Sequence, residues 1–132
     1  MAVDIQELDA ERIIVITLEP PYQGAPDTRH AFEQARLFRE RVGSPVWAVW
    51  DFSWVDLNFP LIVQGLSALT DLPSAEEGTI HPIIVGTGKF VELIASAVGQ
   101  DQYGGHRVTL VTSPEEALAF IRTSQQQMPL SD

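Results

Sequence analysis

Four short runs of mostly β-branched apolar residues, each followed by a stretch with helical spacing, constrain this chain more than any other feature. They are RIIVITL (12–18), VWAVWDF (46–52), IHPIIVG (80–86) and RVTLVT (107–112). Apolar runs of this kind, bounded by turn residues, read as strands, and RIIVITL reads as one buried on both faces. Strands that alternate with single helices through short connections become parallel neighbours, because each crossover returns the chain to the starting edge of the sheet. A more polar run, VDIQEL, precedes the first of them and reads as a half-exposed antiparallel partner. The 132 residues suffice for one such domain with a single core. The expected fold is therefore α/β: a small, mixed but mainly parallel sheet of about five strands with four helices. Residues 1–123 form the domain and 124–132 a polar tail.

The segments between the strands supply the helices. EPPYQGAPD is turn chemistry, after which Asp27 or Thr28 can cap a helix that carries Ala31, Phe32, Ala35, Phe38 and Val42 inward. Gly43 and Pro45 end it. A second helix spans about Asn58 to Leu72, with Pro60 tolerated in its first turn and Pro73 just beyond its end. PSAEEGT and QDQYGGH read as loops. In GKFVELIASAVG, Phe90, Leu93, Ile94, Ala97 and Val98 are the expected inner face, with Gly99 at the end. Pro82 belongs near the start of its strand or at a sheet edge, since it cannot donate to a ladder. SPEEALAFIR carries the clearest helix start: Ser113 as N-cap, Pro114 at the first position and Glu116 closing a capping box.

Charge narrows the classes of function. The formal net charge is −10, with only eight Lys and Arg. Nucleic acids bind largely through neutralised phosphates, so the expectation is no nucleic-acid partner. No apolar run is long enough to cross a bilayer, and none is expected to insert. Absence of cysteine removes disulfides and thiolate sites. The opening residues, MAVDIQELDAE, have neither the basic nor the apolar region of a leader, which points to a cytoplasmic chain.

Complete catalytic or metal-binding patterns are missing. His30, His81 and His106 stand at no metal-ligand spacing, so no metal is expected. VGTGKF suggests a phosphate loop, but Ile83 stands where a Walker A motif needs Gly and Phe90 where it needs Ser or Thr. A tight turn whose glycines supply unusual backbone angles accounts for the same residues. Asp51, Ser53 and Asp56 crowd one strand end. They fit a small binding rim, and they fit equally the short side chains that turn a chain into a helix by bonding nearby backbone. We read them as the turn. No catalytic residue and no cofactor is assigned. A ligand site, as the alternative, would use Asp51, Ser53, Gly86, Thr87, Gly88 and Lys89 at this edge, where α/β sheets hold their ligands. Helix one holds Arg29, Arg36, Arg39 and Arg41, with Arg29–Glu33 and Arg36–Glu40 spaced to pair on a solvated face. Trp47 and Trp50 point to opposite sides of their strand. Trp54 lies past its end, beside Phe52, Leu57 and Phe59. Aromatics at a rim are favoured interface anchors, which makes Phe52, Trp54, Leu57 and Phe59 the candidate partner surface.

The element order, together with WAVWDFSWVDLNF and VTLVTSPEEALAFI, resembles the STAS (SpoIIAA-like) domain, the fold of bacterial anti-sigma-factor antagonists. The first segment resembles that family's strand, Asp-hydrophobic-Ser and helix-two entry; the second resembles its last strand and closing helix. The resemblance runs from about Val3 to Arg122. It implies a non-enzymatic regulatory module that docks a protein partner around the start of helix two; self-association as a homodimer is a separate expectation. It also implies a phosphorylated serine in a D-S-S-G-like motif there. That motif falls on Phe59, Pro60, Leu61 and Ile62, which include no Asp, Ser or Gly. Ser53 matches the earlier serine of the family's strand-end motif, which is not the phosphoacceptor. The expectation is thus a STAS-like interaction module without phospho-switching. Sec14-type lipid-binding domains resemble the same architecture and leave a small-ligand or lipid module as the alternative.

Overall fold

A computed structural model describes residues 3–43, 45–71, 80–98 and 108–127. The elements are β1 (Val3–Leu8), a 3₁₀ turn (Asp9–Glu11), β2 (Ile13–Leu18), α1 (Ala25–Val42), β3 (Val46–Asp51), α2 (Phe59–Asp71), β4 (Ile80–Val85), α3 (Lys89–Val98), β5 (Thr109–Val111) and α4 (Pro114–Gln127). They form an α/β domain around one five-stranded sheet of order β1-β2-β3-β4-β5. The β1–β2 pair is antiparallel and the other three pairs are parallel. No helix among the described residues is long and apolar enough to cross a membrane.

The monotonic strand order decides where the helices go. Right-handed crossovers repeated in one direction leave their helices on the same face of the sheet. That face carries the larger core, in which Ala31, Ala35 and Phe38 of α1, Ile62 of α2, and Val91 and Ile94 of α3 meet Ile14, Ile16, Leu18, Ala48 and Ile84. Fully burying an aromatic such as Phe38 stabilises the fold by roughly 1.5–3 kcal/mol relative to exposure. After β5 the chain passes to the other face. There Ala117 and Ile121 of α4 cover Ile13, Val15, Val49, Ile83 and Val85. Trp47 and Trp50 divide between the two cores as their alternation requires, and Trp47 packs edge-on to Phe120 with ring centroids 6.1 Å apart. Pro82 pairs with Ala48 of β3, whereas β5 covers β4 only from Ile83 onward, so the strand is locally an edge where its missing N–H falls.

Several boundaries and faces differ from the sequence expectation. Helix α1 starts at Ala25, after Gly24 at φ 70° and with Pro26 in its first turn. Neither Asp27 nor Thr28 is the cap. Asp27 instead reaches back to accept the Gln23 N–H at 2.7 Å, while the buried Thr28 shares a 2.8 Å hydroxyl bond with Tyr22. Burial holds the Tyr22 phenol above its ordinary pKa, a shift the Thr28 bond opposes. On α3, Val91 faces the core and Leu93 is turned outward, while Phe90 packs partly against the same core as expected. Glu116 accepts from Thr112, one residue before the Ser113 cap, while Ser113 Oγ accepts the Glu116 N–H at 3.1 Å. Helix α4 continues to Gln127, into the segment read as a tail. The expected features at Pro73, Gly99, His106, both acidic and glycine-rich loops and residues 128–132 lie outside the described residues.

Helix α2 approaches α1 closely at a glycine. A Cβ on Gly65 would stand 2.9 Å from the Tyr22 hydroxyl and 3.2 Å from Thr28 Oγ1. The Tyr22–Thr28 bond therefore sits against the helix and fixes which side of α2 faces inward.

Candidate functional site

The parallel strands end level with one another. Asp51 is in register with Val85, and Val85 with Val111, so the turns after β3, β4 and β5 open at one edge. Phe52 N–H donates to Val85 O at 2.9 Å and Gly86 N–H to Val111 O at 3.0 Å, which carries the ladder one residue past each strand. Between the first two turns lies a half-open depression of about 280 Å³.

Asp51 does not line it. The side chain is 1% exposed. Its Oδ1 accepts the Ser53 N–H at 2.9 Å and the Ser53 hydroxyl. A buried carboxylate is tolerated when donors surround it, and here the donors come from two residues on, in the manner of an Asx turn. The turn reading of Asp51 and Ser53 thus has a structural basis. Ser53 itself remains exposed and does line the depression, with Asp56, Leu57, Thr87, Lys89 and Thr112.

The structure therefore brings most of the alternative ligand set together. Ser53, Gly86, Thr87, Gly88 and Lys89 border one space, while Asp51 lies behind it. Gly86 at φ 152° and Gly88 at φ 101° allow the turn into α3, and a Cβ on Gly86 would meet Val91 at 3.0 Å. Lys89 bends over the Phe90 ring, its Nζ 5.3 Å from the centroid. Hydroxyls, one ammonium and one carboxylate face the space. The described lining includes no imidazole, and the Ser53 hydroxyl donates to the Asp51 carboxylate. Among the described residues no three His, Asp or Glu side chains converge as a metal would need.

The candidate partner surface divides. Phe52 is only 7% exposed, packed edge-on to Tyr22 with centroids 6.3 Å apart, and belongs to the core. Leu57 packs partly against that core. Trp54 and Phe59 stand in solvent, 67% and 59% exposed. Sequence reasoning missed their neighbour Val63, 44% exposed and one helical turn after Phe59 on the same side of α2. The signal was present: residues 57–70 contain no charge in an acidic chain, and i,i+4 apolar positions run along them. Asn58 caps this helix, its Oδ1 accepting the Leu61 N–H at 2.9 Å, so the exposed start of α2 is held by its own sequence.

Charges elsewhere pair off. Arg36 bridges Glu33 and Glu40 along α1, whereas Arg41 leaves the helix to bind Glu7 and Asp9, and Arg122 ties α4 to Glu11 at 2.7 Å. The Arg41, Arg122 and Arg36 hydrogen bonds hold Asp9, Glu11 and Glu33 respectively below their ordinary carboxylate values. The i,i+4 reading of Arg36–Glu40 holds, and its Glu33 contact is an addition. No protein-family model matches this chain, and no curated protein shows significant similarity to it.

Proposed function

We propose that the protein is a non-enzymatic, STAS-like interaction or regulatory module of the cytoplasm that docks a protein partner at the turn from β3 into α2. The observation that carries this reading is the exposure of Trp54 and Phe59 beside the buried Asp51 and Phe52, in a segment held by the Asp51–Ser53 bonds and the Asn58 cap. Tryptophan and other large aromatics anchor interfaces because they exchange much apolar area for little conformational entropy. Phospho-switching is not part of the proposal, since Phe59 to Ile62 offer no acceptor hydroxyl.

Native mass spectrometry of the protein recovered from its own cells tests the reading. An added protein mass that disappears in a Trp54→Ser/Phe59→Ser variant is the expected result. The bare chain mass in both preparations, or a partner retained by the variant, counts against it. A second reading rests on the depression that gathers Ser53, Thr87 and Lys89: a small phosphate-bearing or polar ligand bound at the strand edge. A small added mass, with a thermal shift for the matching compound, would favour it; a ligand at a hundredfold excess over its Kd stabilises by about 2.7 kcal/mol.

A further inference from the structure

The depression at the strand edge holds two charges that the fold leaves unused. Arg36, Arg41 and Arg122 are each taken up by carboxylates of the chain. Lys89, the only lysine in the sequence, and Asp56 line the same space, yet neither forms an ion pair with the other or with any other described residue. The Lys89 ammonium has instead the Phe90 ring, 5.3 Å from its centroid. Lys89 also opens α3, where the helix dipole opposes a cation, so its charge is no help to the helix. Between the two charges the walls are hydroxyls, among them Thr87, and apolar side chains, among them Val55 and Leu57.

We infer that this depression binds an α-amino acid with an apolar side chain, as its zwitterion. The ligand carboxylate meets the Lys89 ammonium and the Thr87 hydroxyl, its ammonium meets the Asp56 carboxylate, and its side chain lies against Val55 and Leu57. The inference rests on the ligand reading given second above and names the chemistry of that ligand. Charge complementarity selects the class. A plain anion such as phosphate would satisfy Lys89 but stand beside the Asp56 carboxylate, in a chain whose net charge is already −10. A plain cation would satisfy Asp56 but face Lys89. A small molecule that carries both signs answers both groups. Size agrees: pockets for drug-sized ligands run from about 300 to 1,000 Å³, so a half-open space of about 280 Å³ suits a molecule with fewer atoms. Lys89 and Asp56 are both exposed, so water and salt screen their contacts, and binding is weak and falls as ionic strength rises.

Titration of the full chain, followed through its backbone amide signals by nuclear magnetic resonance, tests this with four probes. Leucine carries both charges on an apolar body. Isocaproate is leucine without its amine, isopentylamine is leucine without its carboxylate, and inorganic phosphate is a plain anion. The expected result is that leucine shifts the amides of Ser53, Asp56, Thr87 and Lys89, more weakly at high salt, and that each of the other three binds less tightly. Lys89→Gln and Asp56→Asn should each weaken leucine binding by about two- to fivefold, the range an exposed charge pair supplies. Both positions are exposed, and unchanged circular dichroism establishes that the variants fold. Any of the other probes binding at these residues as tightly as leucine overturns the zwitterion and leaves the ligand reading standing. Leucine binding that neither salt nor either variant weakens overturns the assignment of Lys89 and Asp56. Silence from all four probes overturns the inference and counts against the ligand reading with it.

Discussion

Residues 51–53 and residues 54–63 follow one another from the end of β3 into α2, yet they solve opposite problems. In the first, the buried Asp51 Oδ1 takes both donors of Ser53, and Phe52 fills the core beside Tyr22. In the second, Asn58 caps the helix but Trp54, Phe59 and Val63 remain in water. The contrast teaches that the strand end turns its side chains into the fold or onto itself, whereas the helix entry leaves its apolar side chains in water. Residue type alone does not separate them, since Phe52 and Phe59 are the same amino acid with opposite fates.

The comparison breaks most severely if neighbouring positions on α2 prove equivalent. Ile62→Ala should cost about 2–5 kcal/mol by urea unfolding, through lost burial and a residual cavity, whereas Val63→Ala should stay within about 0.5 kcal/mol. Equal costs would mean that α2 is rotated from the face described. Next in size, Asp51→Ala removes an ionised acceptor and leaves the Ser53 donors without it, at about 1.5–3 kcal/mol. Ser53→Ala should cost less, because the backbone donor remains. If Asp51→Ala is neutral, the turn is not held by that carboxylate. Trp54→Ser and Phe59→Ser sharpen the contrast from the other side: their unfolding midpoints should match the wild type while association is lost.

The smallest effect concerns pH. Asp9, Glu11 and Glu33 sit below their ordinary values of 3.8, 4.5 and 4.5 through hydrogen bonds from Arg41, Arg122 and Arg36. A carboxylate lowered in the folded state binds protons more readily when unfolded. Its contribution is therefore complete above the unfolded value and is lost as pH falls through the folded one. Thermal midpoints should hold down to these ordinary values and decline below them. The decline should be modest and salt-sensitive, since all three groups are exposed. Arg41→Ala should flatten part of it; an unchanged profile would show that the Asp9 pair contributes nothing.

Much of the fold was legible because the physics behind it is local. The four apolar β-branched runs, the Gly43 stop, and Ser113-Pro114 at the start of α4 each state their conformation within a few residues. The start of α1 was misread because Asp27 and Thr28 are good capping residues, while Gly24 and Pro26 set the backbone earlier. On α3 only Val91 and Leu93 changed places, because they are equally apolar and their spacing does not say which of the two faces the sheet. The site divided along the same line. That Ser53, Gly86, Thr87, Gly88 and Lys89 share an edge follows from strand polarity; that Asp51 faces inward does not.

By itself, then, the sequence determined an α/β chain with strands in parallel succession, an acidic surface, and one long uncharged stretch at the second helix. Those properties depend on residue type and spacing along the chain. Only the tertiary structure decided that three helices share one face and α4 takes the other, that Phe52 is core while Trp54 is surface, and that Val63 joins Phe59 on the open side of α2. The physical reason is that burial is a relation between distant segments. Tyr22 and Thr28, bonded beside Gly65 from more than thirty-five positions away, turn one side of α2 inward and leave Phe59 and Val63 in solvent.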